Sequence, residues 1–274
     1  MVKKQSNRII IFSLLLILVV ITGFVVVVSC QKGGKCFSNS GTVVIQDRIV
    51  PANQSIDSID LADNVDLILT QDTVDRIRVE AGSNIISGIT TEVDNCMLQI
   101  RNLNSCNWLR SYDKPLNVYV SVKNLKKIQY NAAGNITTAN SLQGYTHIVG
   151  KDTLFNKYFN VVITGGCGTM DLSLADSTGD FSISTGTADF NLHGKCGIAT
   201  FYLNGLGLCY AIDLATRYCT VTSLGTNNCD VNVSVKLTVI IKNIGSVYYT
   251  GDVKPDSIIK KITGSGTCEP YYRP

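Results

Sequence analysis

The chain has 274 residues, 24 Lys plus Arg against 21 Asp plus Glu, a net charge of +3, two histidines and ten cysteines. Lys3, Lys4 and Arg8 supply part of that charge, so the rest is near neutral and presents no basic field for a nucleic acid. With no C-x-x-C and only His147 and His193, a zinc site is not expected, and no cofactor is implied.

The first element is apolar. It runs from Ile9 to Val28, interrupted by Ser13, Thr22 and Gly23, and no acidic residue precedes Asp47. Basic residues followed by an apolar stretch and a small residue are the marks of a secretory signal. The run also reaches the roughly 20 residues that span a bilayer, longer than the usual signal core, so a retained signal anchor is the alternative. Either way the remainder is exported, because the basic flank stays in the cytoplasm. Val27-Val28-Ser29-Cys30 resembles the lipobox of bacterial lipoproteins, in which the cysteine receives acyl chains. That resemblance implies cleavage before Cys30 and lipid attachment at Cys30. Two or more acyl chains make such an anchor stable. Residues 1–29 are then a lipoprotein signal peptide and 30–40 a flexible tether, rich in Gly and Lys. The expected partner is the membrane, and the expected location is the cell envelope, at the outer membrane.

After the tether helical periodicity is absent. VVIQ (43–46), VDLILT (65–70), RIRVEA (76–81), MLQIRN (97–102) and LNVYVSV (116–122) alternate apolar and polar residues, the period of a half-buried strand. From 171 onward short alternating cores recur: DLSL (171), DFSI (180), DFNL (189), TFYL (200), AIDL (211), TVTS (220), DVNV (230), TVII (238) and VYYT (247). Their spacing is 8 to 11 residues, with Gly, Thr, Ser and Asn between them. The fold expected over 41–262 is all-β, a single-stranded parallel β-helix of right hand; the alternative is an antiparallel β-sandwich. Stacking at this spacing places Asp171, Asp180 and Asp189 in one column, Phe181 and Phe190 in another, and Cys209, Cys219 and Cys229 in a third. Neighbouring thiols there could bridge, but packed, unpaired thiols are the commoner outcome. Residues 263–274, with Pro270, Tyr271, Tyr272 and Pro274, read as a C-terminal strap.

Three stretches carry a family resemblance: RIVPANQSIDSIDLADNVDLILTQD, the segment from 94 through CNWLRSYDKPLNVYVSV, and LKKIQYNAAGNITTAN. Val65 to Gln71, Met97 to Asn102, Val118 to Val122 with Leu125 and Ile128, and the turn Ala133 to Ile136 match its successive elements. The chain resembles the auto-transporter adhesin head GIN domain family over most of 40 to 250, most closely up to residue 140. The resemblance implies a β-helical envelope protein of the Bacteroidetes type and brings no catalytic residue.

Among candidate contacts, CNWLRSYDKP (106–115) holds the only tryptophan. Trp108, Arg110 and Tyr112 could stack on and hydrogen-bond a sugar. In the plainer reading Trp108 and Leu109 plug the open end of the coil while Arg110 pairs with Asp113. Cys96 and Cys106 are the candidate disulfide. The aspartates at 171, 180 and 189 could serve as acid and base on a polysaccharide or bind calcium. Calcium takes six to eight oxygens, so a solvated row is the expected reading. GGCG (165–168) is read as a tight corner, with Cys167 no nucleophile unless a histidine converges on it. The expected function is therefore not enzymatic: a lipid-anchored envelope protein making adhesive or scaffolding contacts with glycans or proteins. The alternatives are a β-helical enzyme acting on polysaccharide and a purely structural envelope module.

Overall fold

The computed structural model describes residues 39–105, 114–149 and 154–272. Among them there is no α-helix, and no helix long and apolar enough to cross a membrane. The N-terminal strands are β1 (Val43–Arg48), β2 (Ser58–Asp63), β3 (Asp66–Gln71), β4 (Arg76–Gly82), β5 (Ile89–Asp94), β6 (Met97–Asn102), β7 (Asn117–Val122), β8 (Lys127–Ala132), β9 (Ile136–Thr138) and β10 (Tyr145–Val149). Five long strands follow: β11 (Leu154–Gly166), β12 (Thr169–Ile183), β13 (Asp189–Leu203), β14 (Cys209–Ser223) and β15 (Cys229–Ile241). β16 (Val247–Thr250), β17 (Ile258–Ile262) and β18 (Cys268–Pro270) close the chain.

The all-β expectation holds, and the strands foreseen at 43, 65, 76, 97 and 116 begin within one residue of those positions. Their alternation maps directly onto burial: in β6 and β7 half-buried and buried residues alternate without a break.

The sheet is mixed, which corrects the expectation of an entirely parallel stack. β11 through β15 pair parallel, each to the next. In contrast β1–β4, β4–β7, β5–β6 and β10–β11 are antiparallel. One cause is local. Asn95 and Cys96, between β5 and β6, hold φ of 49° and 62°. Two successive left-handed residues reverse the chain into a hairpin, as a type I′ turn does. A sandwich needs two separate sheets, whereas all eighteen strands share one.

The stacking period is also longer than the sequence spacing suggests. Met170 faces Phe190 and Phe181 faces Phe201, each 20 residues on (190 − 170 and 201 − 181). The segments spaced by about ten are therefore two halves of one circuit. The first half of β12 pairs with β9 and its second half with β11. The expected columns dissolve accordingly. Asp171 lies beside Asn191, Asp180 beside Thr200 and Asp189 beside Thr169. Phe181 stacks on Phe201 with ring centroids 5.3 Å apart, and meets Phe190 edge-on across the core at 5.8 Å. Cys209 faces Cys229, while Cys219 belongs to the other ladder, between Ala199 and Leu237. All three thiols are buried and unbridged.

Two inward columns make the core. One runs Leu67, Ile136, Met170, Phe190, Cys209, Cys229, Val247, Cys268. The other runs Ile59, Ile128, Val161, Phe181, Phe201, Val221, Val239. Every member is buried. Burying a large apolar side chain of this kind contributes about 1.5–3 kcal/mol. The second column ends at Lys260, opposite Val239. Its Nζ donates to the carbonyl of Cys268 at 2.6 Å and lies 5.9 Å from the Tyr249 ring centroid. A charge thus closes the last apolar layer and discourages pairing at that edge.

Tyr130 joins the two ladders from inside. Its hydroxyl donates to the Gly134 carbonyl at 2.7 Å and accepts the Gly168 N–H at 2.8 Å. Burial pushes its pKa up to about 12, so it stays a neutral donor. Removing that hydroxyl strands a buried carbonyl and a buried N–H, at a cost of about 1–3 kcal/mol. Tyr130→Phe should therefore lower the thermal midpoint by about 2–10 °C. A midpoint unchanged in a circular dichroism melt would show that water replaces the bridge without loss.

Candidate functional site

Because side chains alternate, each buried residue of the first core column is followed by an outward one. Asn191, Tyr210, Asp230, Tyr248 and Glu269 follow Phe190, Cys209, Cys229, Val247 and Cys268, and they lie in register on adjacent strands. The outward row thus alternates aromatic and carboxylate: Tyr210, Asp230, Tyr248, Glu269. Beyond it the chain continues the parallel β16–β18 register by one residue. The Tyr271 N–H donates to the Tyr249 carbonyl at 2.7 Å. Tyr271 and Tyr272 then wall an open cavity of about 310 Å³ with the four residues of the row.

The chemistry of this groove is specific. Four phenol rings supply flat apolar faces with a polar edge. Tyr210 is 44% exposed and Tyr272 83% exposed, so both rings are available. Among the described residues no lysine or arginine lines the cavity. Asp230 is half-buried, and desolvation alone raises its pKa above the ordinary carboxylate range. No hydrogen bond or ion pair among the described residues relieves it. A carboxylate held partly dry without a partner is poised to accept hydrogen bonds from something that enters.

The aspartates expected to form a column serve local structure instead. Asp171 accepts from Asn191 Nδ2 at 2.9 Å and lies 3.3 Å from His193 Nε2. Asp180 accepts from the Tyr158 hydroxyl at 2.7 Å. Asp189 accepts the Leu208 N–H at 2.6 Å. Asp180 lies in one ladder and Asp171 and Asp189 in the other, on adjacent strands and two register positions apart, and each carboxylate is engaged by a different partner. His193 also approaches Asp213, at 3.8 Å. Among the described residues no three His, Cys, Asp or Glu side chains gather as a metal site. Cys167 sits at an exposed corner, its N–H donating to the Ala132 carbonyl at 3.0 Å. The preceding Gly166 has φ of 89°, and a β-carbon there would collide with that same carbonyl, so the corner requires glycine.

Cys30, Cys106, Trp108, Arg110 and Tyr112 lie outside the described residues. Cys96 is half-buried in the β5–β6 turn, its carbonyl accepting the N–H groups of Asp57 and Ser58. The tyrosine–carboxylate row escaped sequence reading, although its trace is there. Cys209-Tyr210, Cys229-Asp230, Val247-Tyr248 and Cys268-Glu269 repeat a buried-then-outward pair at intervals of 20, 18 and 21. A period near ten hides that pattern.

The unrelieved carboxylate makes a prediction about stability. A raised folded-state pKa means that ionised Asp230 destabilises the fold, fully above that pKa and progressively less as pH falls through it. Asp230→Asn should therefore melt about 1–2 °C above the parent at neutral pH, with the gap closing on acidification. A variant that melts lower at neutral pH would show that the carboxylate has a structural partner.

Known structures share this architecture. A putative adhesin from Bacteroides fragilis NCTC 9343 aligns with a TM-score of 0.68 at 20% identity, covering 84% of this chain and 97% of that one. A putative adhesin from Parabacteroides merdae ATCC 43184 aligns at 0.59 and 15%, covering 85% and 98%. A putative lipid binding protein from Parabacteroides distasonis ATCC 8503 aligns at 0.52 and 16%, covering 85% and 98%. At these identities the likeness speaks for the fold alone. No curated protein matches the chain. The family model described as "Putative auto-transporter adhesin, head GIN domain" matches residues 56–253, well over half of the sequence, and the chain belongs to that family.

Proposed function

We propose that this protein is an exported adhesion module, tethered to the cell envelope by lipid on Cys30, that uses the tyrosine–carboxylate groove to hold glycan or protein partners. The observation that carries the reading is the register-locked row Tyr210, Asp230, Tyr248, Glu269 in a member of an adhesin family. A row whose backbone is fixed by ladder hydrogen bonds needs no backbone ordering on binding, which lowers the entropic cost. In this reading residues 1–29 are removed, 30–40 give reach from the outer membrane, and 263–274 strap the end of the body. The body, 41–262, is taken as a right-handed parallel β-helix with antiparallel additions. Its support is the parallel ladder from β11 to β15 and the 20-residue offset between stacked partners. The module acts by contact and not by catalysis, which agrees with the separate structural partners that engage Asp171, Asp180 and Asp189.

Intact mass of the membrane-extracted protein tests the tether. The expected mass lacks residues 1–29 and includes the acyl chains. Cys30→Ser should accumulate as unprocessed precursor with Met1 retained. A precursor-length mass for the parent, or normal cleavage of Cys30→Ser, would overturn lipid attachment.

A further inference from the structure

From the spacing and chemistry of the groove we infer that it binds an extended, β-linked, neutral glycan chain laid across the strands, parallel to the stacking direction. This inference rests on the adhesion reading and adds the ligand class to it.

Spacing comes first. Tyr210 and Tyr248 are both in register with Asp230, one on either side, so the rings are two strands apart. Adjacent strands lie about 4.8 Å apart, which puts equivalent ring positions about 10 Å apart along the row. In an extended β-1,4-linked chain successive sugars are flipped, so the same face returns at every second sugar, a repeat of closely similar length. Two rings at that interval can each stack on the same face of alternate sugars. An α-linked chain coils and does not hold one face to a straight row.

The polar groups agree. The sugar between two stacked ones lies over Asp230, whose carboxylate has no partner among the described residues and accepts hydrogen bonds from ring hydroxyls. Glu269 offers the same one strand beyond Tyr248. Hydrogen bonds from neutral donors to a carboxylate are stronger than those between neutral partners. With two carboxylates and no lysine or arginine lining the cavity, a uronic-acid or sulfated polymer would meet repulsion rather than pairing. From Asn191 to Glu269 the row crosses five strands, four intervals of about 4.8 Å, which suits about four sugars.

Titration calorimetry of the full-length protein in detergent tests this. The probes are cello- and chito-oligosaccharides of two to six sugars, maltohexaose, and β-1,4-linked polymannuronate. Affinity for a β-linked neutral series should rise at least tenfold from disaccharide to tetrasaccharide and then level. Maltohexaose and polymannuronate should bind at least tenfold more weakly. Tyr210→Ala and Tyr248→Ala should each weaken tetrasaccharide binding about tenfold, Tyr248→Phe should leave it within a factor of three, and Asp230→Asn should weaken it about tenfold. Should the alanine variants fail to fold, Tyr248→Phe and Asp230→Asn still decide between stacking and hydroxyl contact. Preference for the α-linked or acidic probe, or affinity indifferent to chain length, to the two alanine substitutions or to Asp230→Asn, overturns the ligand class. If cells or envelope proteins are bound while none of these glycans is, the ligand class falls and the adhesion reading survives. If no surface is bound at all, both fall.

Discussion

The structure depends on in-register parallel hydrogen bonding between stretches of chain about 20 residues apart. Met170 opposite Phe190, and Phe181 opposite Phe201, are two places where that register is visible. It has two consequences. Inward, it forces each buried side chain to rest on one from the next layer, so the core is built from columns and not from a globular cluster. Outward, it converts a sequence interval into a fixed distance. Tyr210, Asp230 and Tyr248 lie far apart along the chain and only a strand spacing apart in space. The groove is a product of the same bonds as the core.

A stack of this kind must solve its ends. At the C-terminal end Lys260 stands where the next apolar layer would be, and its ammonium bonds to the Cys268 carbonyl beside the Tyr249 ring. Towards the N-terminus the antiparallel strands β1, β4 and β7 cover one ladder, and the β5–β6 hairpin covers the other. These additions make the sheet mixed and leave the inward columns undisturbed. Tyr271 and Tyr272 follow β18, the last strand of its ladder, so the groove forms where the stack terminates.

Strand identity was legible because inside–outside alternation is a direct physical consequence of the pleat. Met97 to Asn102 and Asn117 to Val122 could be read almost to the residue. The family was legible from local strand and turn patterns up to residue 140, most of which fall within the match over residues 56–253. The period was not legible, because both halves of a circuit show the same alternation and nothing in composition separates ten from twenty. The β5–β6 hairpin was hidden because Cys96 occupies a left-handed position where glycine would have signalled it. The groove was hidden because its members differ in type. Like residues in a column announce themselves, whereas Tyr, Asp, Tyr and Glu unite only once the register is known.

Cysteine crosslinking reads that register directly. Asp171→Cys with Asn191→Cys places two outward thiols on adjacent strands, whereas Asp171→Cys with Asp180→Cys places them half a circuit apart. The buried native thiols should not compete under mild oxidation of folded protein. A 20-residue register predicts rapid bridging of the 171–191 pair and little of the 171–180 pair, read by peptide mass. Preferential bridging of 171 to 180 would contradict the register, and the groove at Tyr210 and Tyr248 with it.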